Sequence, residues 1–93
     1  MDLRKQAMIE DYREVLSTEA GRRVFGGIFH RLGLNAPVYD LNPQNMAYKA
    51  GIHDAVLRIA EAVAEAGPEL IGLCEAEWVR FGKQYIEHEE DES

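Results

Sequence analysis

Three histidines, one cysteine and a scatter of carboxylates are the residues here that could bind a metal or activate a nucleophile. His30, His53 and His88 stand apart, with no second His or Cys at HxxxH or CxxC spacing, so they supply no metal-ligand pattern. Cys74 is the only cysteine. Its neighbours Glu75 and Glu77 have the wrong sign to stabilise a thiolate, and it reads as a small buried apolar side chain. Glu61, Glu65, Glu69 and Glu75 read as solvated helix faces. The glycines Gly21, Gly26 and Gly27 follow no strand and form no phosphate cradle. There is no G-x-S-x-G elbow, P-loop or G-x-G-x-x-G. The residues thus assign no catalytic group, no cofactor and no metal, and the expectation is a protein that is not an enzyme.

The elements that would position these residues are helical. Leu3, Met8, Ile9, Tyr12, Val15 and Leu16 form one apolar stripe and predict a helix over about Leu3 to Leu16. Thr18 is placed to cap a second helix, with Glu19 at its positive end. Val24, Phe25, Ile28, Phe29 and Leu32 follow at helical spacing, and Gly33 is placed to end the helix in left-handed geometry. Three glycines inside this helix cost about 1 kcal/mol each against alanine. Close packing of another helix or of a partner's backbone is the offset expected, with a frayed or kinked helix as the alternative.

From Leu34 to Asn42 the periodicity stops, and Asn35, Pro37, Asp40 and Pro43 are turn residues. Val38, Tyr39 and Leu41 are apolar within this loop and must lie against something, either the core or a partner. Asn42 caps a third helix with Pro43 at its first position. Its stripe is Ile52, Ala55, Val56, Ile59 and Val63, and Gly67 ends it. A fourth helix is expected to open with Pro68 and to carry Leu70, Cys74, Trp78, Phe81 and Tyr85 on one face. The reading is all-α: a compact bundle of about four helices in a single domain, residues 1–86, followed by an acidic disordered tail, residues 87–93. Large aromatics on the last helix of so short a chain could serve as core or as interface. The interface candidates are therefore Trp78, Phe81 and Tyr85, with Val38 and Tyr39 as a second patch.

Composition narrows the class. The chain has 93 residues and a net charge of −7. Five of its 17 acids lie in the last seven residues, which leaves 12 against 10 bases, a net of −2, for the rest. The body is near neutral, and no basic footprint marks a nucleic-acid binder. Arg22, Arg23 and Arg31 flank the second helix, but the Pro-containing connection after Gly33 is too long for a helix-turn-helix. No charged-then-apolar leader or membrane-length apolar run is visible, and the lone thiol fits a reducing compartment. The expectation is a cytoplasmic location.

Two stretches carry a resemblance: Val15-Leu16-Ser17-Thr18-Glu19-Ala20-Gly21-Arg22-Arg23-Val24-Phe25, and the run from Met46-Ala47-Tyr48-Lys49-Ala50-Gly51 through Ile59. Together they resemble a family of small proteins of tailed bacteriophages and prophages, encoded near head-morphogenesis genes. That family shows T-x-x-G-R-x-V after a first helix and A-(F/Y)-x-x-G opening a long helix. The likeness covers residues 11 to 75. The family's Arg-Arg after the second glycine is replaced here by Ile52-His53. The resemblance implies a structural or assembly role without catalysis, with Gly21 and Gly51 permitting close helix contact and Val24 and Ile52 in the core. The expected function is a phage structural or assembly protein that binds virion or assembly proteins, either free in the cytoplasm or virion-associated, and able to form a homo-oligomer. A regulatory protein-binding module is the alternative, and a DNA-binding module a more distant one.

Overall fold

The computed structural model describes the backbone of residues 2–92 and the side chains of residues 2–84. Tyr85, His88 and the acidic run 87–93 lie outside the described side chains. Four helices follow in order: α1 (Leu3–Leu16), α2 (Glu19–Arg31), α3 (Pro43–Ala66) and α4 (Leu70–Glu92). The all-α bundle expected from periodicity is the fold that forms.

Local chemistry sets the boundaries. Asp2 caps α1 by accepting from the Arg4 amide at 2.9 Å. Thr18 closes one helix and opens the next: its hydroxyl donates to the Val15 carbonyl at 2.8 Å and accepts from the Gly21 amide at 2.9 Å. The end of α2 is a Schellman turn. Gly33 takes φ +72°, its amide bonds to His30 O at 3.3 Å, and the Leu34 amide bonds to Phe29 O at 2.9 Å. Asn42 caps α3 through both the Gln44 and Asn45 amides, at 2.9 and 3.2 Å. The start of α4 differs from expectation. Pro68 and Glu69 form a turn after Gly67, with the Leu70 amide bonded to Gly67 O at 3.0 Å, and the helix begins at Leu70.

The buried core is small: Leu16, Phe29, Val56, Ala60, Val63, Ala66 and Cys74. Tyr12, Phe25, Leu34, Ile59, Leu70 and Ile71 pack around it, partly buried. The most extensive helix pair is α2 with α4, followed by α1 with α3. Arg13 ties α1 to the end of α3, donating from Nε to the Ala66 carbonyl at 2.6 Å, and Lys5 pairs with Glu65 at 2.7 Å.

The glycines of α2 explain the α2–α4 pair. A Cβ built at Gly26 would collide with the Cys74 carbonyl oxygen and lie 2.8 Å from Trp78 Cβ. At Gly27 it would meet the Trp78 ring at 3.0 Å. The helices thus touch backbone to backbone, and the indole lies across the two glycines, as close packing required. The overall shape is a plate. Its Cα extents are 55 × 39 × 16 Å and its radius of gyration is 15.9 Å, against about 12 Å for a spherical domain of this length.

Candidate functional site

Among the described residues those with intrinsic chemistry do not converge. His53 Nε2 lies 3.1 Å from the Leu34 carbonyl, where it pins the loop to α3. His30 faces the Trp78 ring at 5.8 Å between centroids. Among the described residues no group of three or more His, Cys, Asp or Glu side chains could hold a metal ion. Cys74 is fully buried, and burial pushes its thiol above the usual range, opposed in part by the charge of Arg22. A thiol kept protonated and out of solvent is a packing group, not a nucleophile.

Two of the three arginines are engaged with the fold. Arg22 donates to the Leu16 carbonyl at 3.0 Å, and the Arg23 guanidinium lies 4.9 Å from the centre of the Phe81 ring. Only Arg31 of the three is exposed. Glu19 pairs with Arg80 at 3.3 Å, and Arg80 also holds the nearly buried Glu77 at 2.8 Å. Both acids draw the Arg80 guanidinium further toward its charged form.

The interface residues proposed from sequence separate into two kinds. Trp78 and Phe81 are half-buried. Trp78 packs on Gly26 and Gly27 of its own chain and stacks toward Phe81 at 6.0 Å, so this aromatic face contributes to the α2–α4 contact. Val38 is also half-buried and lines a shallow cleft with Leu32, Ile52 and His53. Tyr39 is different, at 72% exposed. Tyr85 lies outside the described side chains.

Surface that the sequence did not single out is more extensive. Leu3, Met8, Val15 and Val24 are exposed on α1 and α2. Met8 and Val15 border a small hollow with Tyr12 and Phe25. Val24 was expected in the core and is instead 59% exposed. The reason is that Gly26 and Gly27, not the branched residues, form the seat for α4. Ile52, also expected in the core, is half-buried. From Leu41, just ahead of α3, through Gly51 on it every residue is exposed, including Leu41, Met46 and Tyr48. Gly51 has no heavy atom within 4 Å of a built Cβ, so within one chain it makes no close helix contact. At the start of α3, Asp40 accepts from the Asn42 amide at 2.9 Å and pairs with Lys49 at 2.9 Å. Those bonds hold its carboxyl below the ordinary range.

No helix among the described residues is long and apolar enough to cross a membrane. The chain matches no known family model, curated protein or solved structure. The functional reading therefore rests on the exposed apolar surface and on the motifs described above.

Proposed function

We propose that this chain is a phage- or prophage-encoded structural or assembly protein that acts by binding other proteins. The observation that carries the protein-binding part is the uncovered apolar surface. Among the described residues twelve large apolar side chains are at least 38% exposed, while seven apolar residues are buried. Single exposed leucines or valines are ordinary, but this many beside so small a core favour a chain that buries surface against partners. Support for the phage setting comes from the resemblance alone, through Thr18-Glu19-Ala20-Gly21-Arg22 and Ala47-Tyr48-Lys49-Ala50-Gly51. Arg22 and Arg23, engaged with the Leu16 carbonyl and the Phe81 ring, favour this reading over DNA binding.

The test is particle association. The chain is produced with the phage that encodes it, and particles are separated from free protein on a density gradient. Co-migration with heads or assembly intermediates at fixed stoichiometry is expected. Recovery only as free protein at every stage of assembly would overturn the proposal.

A further inference from the structure

We infer that the cleft between the end of α2 and the middle of α4, walled by Trp78 and carrying Glu75, receives an arginine side chain of a partner protein. The inference rests on the protein-binding reading of the chain but not on the phage setting.

The cleft is built by two elements. The Schellman turn at Gly33 swings the chain back so that Asn35 reaches α4, where its Nδ2 donates to Glu75 Oε1 at 2.6 Å. That bond holds a surface carboxylate in place, and among the described residues nothing else pairs with it. Trp78 stands one turn beyond Glu75 on the same side of α4. Gly26 and Phe29 line the cleft from α2, and His30, 5.8 Å from the indole between ring centroids, borders it. The volume is about 270 Å³, and the space is more enclosed than the cleft at Val38 or the hollow at Tyr12.

Charge and size select the occupant. Glu75 is the only lining residue with a full charge at neutral pH, and no lysine or arginine lines the cleft to neutralise it. His30 and Gly33 belong to the last turn and cap of α2, the negative end of the helix dipole, which also favours a cation. An indole wall attracts a cation through the ring face. A guanidinium suits this combination better than an ammonium. It is planar and weakly hydrated, it stacks on aromatic rings, and it can fork onto a carboxylate. Clefts that hold a whole small molecule run about 300–1,000 Å³, so this one has room for a single side chain. A free amino acid would also bring a carboxylate, for which the lining offers no cationic partner. The cation therefore arrives on a peptide chain.

The test uses Trp78, the only tryptophan of the chain, as the reporter. A capped glycine-arginine-glycine peptide is titrated into the full chain up to about 50 mM at pH 8 and constant ionic strength, and indole fluorescence is followed. The same peptide with citrulline, the neutral isostere of arginine, and the same peptide with lysine are run beside it. A saturable change is expected with arginine, a weaker one with lysine and none with citrulline. Glu75→Gln keeps an oxygen for the Asn35 bond, so unchanged helicity by circular dichroism is expected, with arginine-peptide affinity reduced about fivefold for so exposed a carboxylate. No response to the arginine peptide overturns the inference. An equal response to citrulline or lysine overturns it too, and so does an affinity that Glu75→Gln leaves unmoved. A chain that fails these titrations yet migrates with particles overturns this inference alone. One that passes them and never joins particles overturns only the phage assignment.

Discussion

Replacing Gly26 by alanine probes whether α2 and α4 are held by backbone contact. In an unobstructed helix the change would stabilise by about 1 kcal/mol. Here the added methyl would overlap the Cys74 carbonyl oxygen and sit 2.8 Å from Trp78 Cβ and 3.1 Å from the Cys74 carbonyl carbon. These atoms are fixed by the main chain, so no rotamer change relieves the clash and the helices must separate. Overpacking costs about 1–3 kcal/mol and occasionally more, and a backbone obstacle belongs at the upper end. After the propensity gain, the net destabilisation should be about 2 kcal/mol. For a domain of this length that is a fall in Tm of roughly 8–16 °C. The assay is thermal unfolding by far-ultraviolet circular dichroism at one low protein concentration. Gly72→Ala on α4 is the control, because nothing lies within 4 Å of its built Cβ. That variant should gain about 0.4–1 kcal/mol. Equal stability of the two variants would refute the backbone-contact account of the α2 glycines.

Other expectations follow from single residues. Thr18→Ala removes the hydroxyl that joins α1 to α2 and should cost about 1 kcal/mol, with Thr18→Ser recovering most of it; denaturant midpoints decide this. Cys74 should resist a thiol reagent in the native state at pH 8 and react once the chain unfolds. Its folded thiol ionises above the ordinary range, so the native state keeps a proton that the unfolded state loses. Stability should therefore fall as pH rises through the ordinary thiol range, about 8.5. Melts at pH 7.5 and 9.5 should show a smaller fall for Cys74→Ala than for the natural chain.

Much of the fold could be read from residue types because local signals and global packing agree. Thr18, Gly33 and Asn42-Pro43 mark helix ends by chemistry that acts within one turn. Gly26 and Gly27 announced a close neighbour by their cost alone, although the sequence could not name Trp78 and Cys74 of α4 as that neighbour. Pro68 misled by two residues, because a proline that suits the first helical position suits a turn equally. Val24 misled for a different reason. It shares the spacing of Phe25 and Ile28, but the glycine seat rotates α2 so that Val24 faces out.

Coverage is what periodicity could not supply, and coverage decides the functional reading. Tyr48 and Val56 lie on one stripe by spacing, yet one is 70% exposed and the other fully buried. The difference is set by helix length. At 1.5 Å per residue, the 24 residues of α3 run about 36 Å, while the 14 of α1 and the 13 of α2 run about 20 Å each. Neither shorter helix can line the whole of α3. The bonds from Lys5 and Arg13 fasten α1 near Glu65 and Ala66, so the far end is the part left bare. The start of α3, from Met46 to Tyr48, is thus the part of its apolar stripe that α1 and α2 leave exposed, and periodicity alone could not have told it from the buried part at Val56 and Val63.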